Sequence, residues 1–272
     1  MASRLAATFR RLTDRGEKAL ITYLMAGDPS LPETEALVIK LEQAGADVIE
    51  LGVPFSDPIA DGPVIQKAAE RALRGGASLR RILAMVTNLR ARTQIPLVLM
   101  AYYNTIHAFG IDEFCREAVT AGVDGLIVPD MPPEAGGPLD RSASTHGLSV
   151  IYLLAPTSTP TRRAAVARKS NGFIYYVSLT GITGAKLTDL DDVQRNVEKI
   201  RSVTDVPVAV GFGISTGEHA ARVATIADGV IVGSAIVRLV EEHQHEPVLA
   251  DSIGQFVHSL KVAMRSKSAA AS

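Results

Sequence analysis

In Asp47-Val48-Ile49-Glu50-Leu51-Gly52-Val53-Pro54-Phe55-Ser56-Asp57-Pro58 an apolar, β-branched run, Asp47–Gly52, ends at a loop rich in glycine and proline. A continuous apolar run of this length reads as a strand covered on both faces, the habit of parallel sheets. The exception within it is Glu50, a carboxylate where burial is costly unless the charge is paired or does chemistry. The loop that follows carries a second carboxylate, Asp61, in Ala60-Asp61-Gly62-Pro63. In parallel α/β proteins the carboxyl end of a strand and its following loop are where active sites are built.

Working outward, seven more short apolar runs punctuate the chain: Ala19–Met25, Pro96–Tyr102, Asp124–Pro129, Ser149–Leu154, Phe173–Ser178, Pro207–Val210 and Gly229–Val232. Helical patterns lie between them, at Glu33–Ala44, Val64–Leu73, Leu79–Arg92, Ile111–Ala121, Asp191–Val203 and Gly217–Thr225. Strand alternating with helix predicts parallel pairing through right-handed crossovers. Eight such units in about 250 residues predict an α/β fold, a (β/α)8 TIM barrel, as a single domain over residues 1–272. No Gly-x-Gly-x-x-Gly follows the first run; Met25-Ala26-Gly27-Asp28-Pro29 stands there, against a dinucleotide-binding sheet. Leu5, Phe9 and Leu12 recur at helical spacing, so an amphipathic N-terminal helix packed on the body is expected within residues 1–18. A short organellar transit peptide is the alternative for that arginine-bearing stretch. Residues 266–272 are expected to fray.

A net charge of −1 gives no general drive toward nucleic acid or anionic membrane, so any anion site must be local. The single cysteine, Cys115, excludes an internal disulfide and reads as a packed thiol on a helix. No apolar stretch approaches the ~20 residues that span a bilayer, and the expected address is the cytoplasm. The six histidines are scattered, with His243 and His245 in a polar stretch, so no metal is expected. Neither a Gly-x-Ser-x-Gly elbow nor a strand-end lysine supports acyl-transfer or Schiff-base chemistry. Asp28 and Asp57 each precede a proline and read as turn residues.

Three glycine loops cluster behind the last three runs: Gly181-Ile182-Thr183-Gly184, Gly211-Phe212-Gly213-Ile214-Ser215 and Gly233-Ser234-Ala235. Glycine lets backbone N–H groups approach an anion, and barrels often bind phosphate behind strands seven and eight. Tyr23, Met100, Tyr102, Ile127, Tyr175 and Phe212 sit on or just after different runs and suggest an apolar pocket, with plain barrel core as the alternative. The Tyr175 phenol can also donate a hydrogen bond. For Glu50 and Asp61 the bland alternative is a solvated strand end and a turn residue.

As a set, these residues resemble the tryptophan synthase alpha subunit family from about Arg4 to Met264. The carriers are Leu24-Met25-Ala26-Gly27-Asp28-Pro29, the run Glu50–Gln66, Gly181-Ile182-Thr183-Gly184, Pro207–Ile214 and Gly233-Ser234-Ala235-Ile236-Val237. The resemblance implies Glu50 and Asp61 as the catalytic pair, with Gly184, Gly213, Gly233 and Ser234 binding phosphate beside Phe212. It implies an indole pocket of Tyr23, Met100, Tyr102, Ile127 and Tyr175; position 23 is commonly phenylalanine in the family, so the tyrosine adds a hydroxyl.

The implied reaction is retro-aldol cleavage of indole-3-glycerol phosphate to indole and glyceraldehyde 3-phosphate, a lyase reaction without cofactor in this chain. The implied partner is a β subunit that holds pyridoxal phosphate and joins indole to serine in an α2β2 assembly. The loop Val53–Pro63 is the expected docking surface. Thr180–Asp192 reads as a lid, with Thr183 reaching Asp61 on closure. Two alternatives stay open: a sugar-phosphate isomerase or epimerase, which predicts a metal or a differently placed carboxylate pair, and an allosteric binding subunit in which the pair is dispensable.

Overall fold

A computed structural model describes residues 3–178, 190–211 and 213–268. Its strands are β1 (Ala19–Met25), β2 (Val48–Gly52), β3 (Leu97–Met100), β4 (Gly125–Ile127), β5 (Ser149–Ile151), β6 (Leu153–Leu154), β7 (Ile174–Val177), β8 (Val208–Gly211) and β9 (Gly229–Val232). All pairs are parallel, in the order β5-β4-β3-β2-β1-β9-β8-β7-β6. β5 and β6 are the two halves of the expected Ser149–Leu154 run, divided at Tyr152, so eight runs give nine strands. The first half pairs with β4 and the second with β7, and the Tyr152 carbonyl accepts from the Tyr175 N–H at 3.1 Å. One run thus joins both ends of the sheet and the fold is a TIM barrel.

The helices are α1 (Arg4–Asp14), α2 (Leu31–Ala44), α3 (Pro63–Arg74), α4 (Leu79–Leu89), α5 (Tyr103–Phe109), α6 (Ile111–Ala121), α7 (Gly137–His146), α8 (Pro160–Lys169), α9 (Leu190–Arg201), α10 (Gly217–Ala224), α11 (Ser234–His243) and α12 (Leu249–Ser268). Two strands, β1 and β9, and one helix, α6, have the expected bounds, and the other expected elements differ by a few residues at their ends. Five helices, α5, α7, α8, α11 and α12, carry no expectation above. The expected tail begins as helix, since α12 continues to Ser268, and residues 269–272 lie outside the described set.

Three aspartates set the strand register at the amino-terminal end of the barrel. Asp47, Asp124 and Asp228 each directly precede a strand. Their N–H groups donate to the carbonyls of Leu20, Leu97 and Val208, at 2.8, 2.9 and 2.8 Å. Their Oδ2 atoms accept in return from the N–H of the same three residues, at 2.8, 2.9 and 3.0 Å. Each carboxylate is also matched by a cation: Lys261 for Asp47, Arg90 and Arg4 for Asp124, Arg201 for Asp228.

Alternation along the strands separates two apolar regions. Ile49, Leu51, Leu97 and Leu99 face the helical layer. Ile21, Val48, Val98, Ile127, Ile151 and Ile231 fill the barrel interior. Leu5, Phe9 and Leu12 of α1 join that interior cluster, with the Phe9 ring 5.8 Å from that of Phe173 just ahead of β7. The N-terminal helix therefore closes the lower end of the barrel.

Candidate active site

Glu50 sits on β2 with the strand's inward-facing set, opposite Tyr23 of β1 and Val98 of β3. It is fully buried, and neither carboxylate oxygen has a hydrogen-bond partner among the described residues. A buried charge without a partner is expensive, so the neutral acid is favoured, and burial pushes its pKa up to about 8.

Asp61 reaches the same end of the barrel from the loop before α3. The Tyr102 hydroxyl donates to Asp61 Oδ2 at 3.0 Å and accepts from the Ala60 N–H at 2.9 Å. Phe55 stacks on the Tyr102 ring with centroids 5.0 Å apart, so one tyrosine holds both the backbone and the carboxylate of the loop. Burial pushes Asp61 up to about 6, and the Tyr102 bond pulls the other way. Two carboxyl groups in different surroundings thus favour different protonation states between about 6 and 8.

Tyr23 and Tyr175 complete the wall. Burial raises both phenols well above their ordinary value, and the fields of Glu50 and Asp61 add to that. A Cβ on Gly52 would overlap the Tyr23 hydroxyl, and one on Gly211 would overlap Tyr175, so these two strand glycines make room for the rings. Met100 stands opposite Ile127 across β3 and β4. The structure therefore gathers Glu50, Asp61, Tyr23, Met100, Tyr102, Ile127 and Tyr175 at one end of the barrel.

The anion side is built from backbone. Ser234 is the first residue of α11, and no side chain caps that helix at Gly233. The Ile236 and Val237 N–H groups donate to the Gly233 carbonyl, which leaves those of Ser234 and Ala235 without a partner among the described residues, at the positive end of the helix dipole. Gly213, after β8, has φ 71°, a left-handed conformation that suits glycine. Gly184, Thr183 and Phe212 lie outside the described residues, as does most of the expected lid Thr180–Asp192.

Some features were not anticipated. Asp28 is more than a turn residue: it is 2% exposed and paired with Arg71. Alanines 68, 69 and 72 on one face of α3 signal close helix packing, but nothing in the sequence singles out Asp28 as its partner. Leu153 and Val177 line a cavity of about 430 Å³ at the ends of β6 and β7, together with Arg162. In the expected docking loop, Pro54 is buried and Phe55 half-buried, whereas Ile59 is 85% exposed. No cluster of three His, Cys, Asp or Glu side chains arranged for a metal occurs among the described residues.

Fold and site together define a parallel α/β barrel of the kind enzymes use, with two carboxyl groups in different surroundings at its mouth. The family model described as tryptophan synthase alpha chain matches residues 9–266. The tryptophan synthase alpha chain of Citrifermentans bemidjiense is 51% identical over 259 residues, covering 95% of this chain and 97% of that one. The crystal structure of tryptophan synthase subunit alpha from Legionella pneumophila superposes with a TM-score of 0.92 at 38% identity, covering 98% of this chain and 100% of that one. A chain of M. tuberculosis tryptophan synthase, in an aminoacrylate-bound form, gives 0.87 at 37% identity, covering 97% and 100%. The chain belongs to the tryptophan synthase alpha chain family, lyases of tryptophan biosynthesis. No helix among the described residues is long and apolar enough to cross a membrane.

Proposed function

We propose that this chain cleaves indole-3-glycerol phosphate to indole and glyceraldehyde 3-phosphate in the cytoplasm, by a retro-aldol reaction. The observation that carries the reading is Glu50, a buried carboxyl group without a hydrogen-bond partner among the described residues, its pKa pushed up to about 8 so that it is neutral near pH 7. A neutral carboxylic acid is what protonation at indole C3 requires. The carboxylate left behind then takes the proton from the glycerol hydroxyl next to the breaking C–C bond, which returns Glu50 to its starting state. Asp61, ionised above about 6, accepts the indole N–H and stabilises the cationic indolenine.

Tyr23, Met100, Tyr102, Ile127 and Tyr175 form the indole pocket in this reading. Gly213, Gly233 and Ser234 hold the phosphate with backbone N–H groups, and family resemblance adds Gly184, Thr183 and Phe212. The partner is a tryptophan synthase β subunit carrying pyridoxal phosphate, which takes indole directly in an α2β2 assembly. The test is indole release from indole-3-glycerol phosphate by the purified chain, with and without chelator and β subunit. Turnover that resists chelator and is lost in Glu50→Gln, with the barrel still folded, is expected. Substantial turnover in Glu50→Gln removes Glu50 from the chemistry, and metal dependence favours an isomerase-type reaction.

A further inference from the structure

Arg71 stands near the end of α3 and binds two other elements at once. Its Nε and Nη2 donate to the two oxygens of Asp28, each at 2.8 Å, and its Nη1 donates to Glu241 Oε1 on α11 at 3.2 Å. Asp28 lies in the connection after β1, at the mouth of the barrel. The three charges therefore join the β1 loop, α3 and α11.

Those helices carry the two halves of the site. α3 starts two residues after Asp61, whose carbonyl also accepts from Gln66 Nε2 within α3, at 2.8 Å. α11 starts at Ser234. Both pack over β1 through a seam of Tyr23, Ile65, Ala68, Ala69, Ala72 and Val237. Half of those side chains are alanines, and apolar burial is non-directional, so the seam by itself does not fix the position of α3 along it. A bidentate guanidinium–carboxylate fork, by contrast, fixes both distance and orientation.

Stability alone does not account for the cluster. A buried ion pair often contributes no more than apolar residues of the same volume, because desolvation offsets the attraction. Burial indeed pushes the Asp28 carboxyl up despite the opposing pull of Arg71. What the fork adds is geometry.

We propose that Arg71, with Asp28 and Glu241, is a positioning residue that holds Asp61 in register with the anion-binding start of α11. This rests on the roles given above to Asp61 and Ser234. Without the fork, α3 slides on its alanine seam, and Asp61 leaves the Tyr102 hydroxyl for water. Displacements of about 1 Å at such a site cost on the order of a hundredfold in rate.

The test uses the full chain with Asp28→Asn/Arg71→Met, which removes both charges and leaves neither orphaned in the interior. Arg71→Lys, which keeps the charge but not the fork, carries the same readouts should the double variant not fold. A folded variant with kcat for indole release lowered about tenfold or more and KM within about threefold is expected. Substrate-free 13C titration of the Asp61 carboxyl should show its midpoint falling from about 6 toward the ordinary aspartate value, as burial is lost. The groups that face Asp61, namely Glu50, Tyr23, Tyr102 and Tyr175, are unchanged in these variants. Glu241→Gln, which spares the Asp28 fork, should show the same changes in smaller measure. An unchanged Asp61 midpoint in a folded variant overturns the positioning role, whatever the activity. A parent chain that releases no indole, yet whose Asp61 midpoint falls in the variants, overturns the proposed reaction and leaves the positioning role standing.

Discussion

At the scale of single residues, the site is a contrast between two carboxyl groups. With Asp61 titrating at about 6 and Glu50 at about 8, kcat/KM should rise through the first value and fall through the second. Tyr102→Phe removes the bond that lowers Asp61 while leaving it buried, so the rising limb should move to higher pH; an unmoved limb argues against Asp61 as the group behind it. Glu50 also sets a stability profile. Its folded value of about 8 lies above the ordinary 4.5, so the unfolded chain releases this proton first as pH rises. Stability is therefore lost between about 4.5 and 8, by a few kcal/mol. Glu50→Gln should unfold in urea at about the same concentration as the parent near pH 4.5 and at a higher one at pH 8. Parallel profiles for the two proteins contradict the burial argument. Glu50 was legible because an acidic side chain inside an apolar strand is a local anomaly. The Tyr102 bond and the Asp28–Arg71 fork were not, since each joins residues about 40 positions apart, with no local signal of the pairing.

At the scale of elements, alternation of apolar runs and helical patterns was enough to define a parallel barrel, because strand and helix periods differ strongly in a buried sheet. Helices such as α5 and α11 escaped because they begin directly at strand ends, where loop residues and the first helical turn share one composition. The division of Ser149–Leu154 at Tyr152 was illegible too, since all six residues read as one strand and only pairing partners split it. The strings Ala46-Asp47-Val48, Val123-Asp124-Gly125 and Ala227-Asp228-Gly229 are a repeat visible in the sequence, but their reciprocal bonds to the preceding strand appear only in the register. Asp124 is the most heavily bonded of the three. Asp124→Ala leaves Arg90 short of its carboxylate and the Leu97 N–H unmatched, and should cost about 3 kcal/mol in urea unfolding. A loss below about 0.5 kcal/mol contradicts a register-setting role, since surface changes stay within that range.

At the scale of the whole molecule, one end of the barrel faces chemistry and the other is packed shut. Among the described residues, the exposed large apolar side chain closest to Asp61 along the chain is Ile59, at the loop's tip, where it can meet another protein. Ile59→Glu should lower the affinity for the β subunit about tenfold and lose its stimulation more than it lowers the basal rate. Equal affinity in a pull-down titration removes Ile59 from the interface. Pro54, buried in the same loop, is expected to disturb the fold when charged, and is no probe of docking.

The α1 residues Leu5, Phe9 and Leu12, packed among the inward side chains of the strands, make the barrel a blind well. With that end filled, the reactant and both products of the proposed cleavage would pass through the opposite mouth, and whatever stands in it would set the order of departure. In the proposed reaction, a protein seated there would be a gatekeeper as well as a neighbour, deciding where indole goes by occupying the exit.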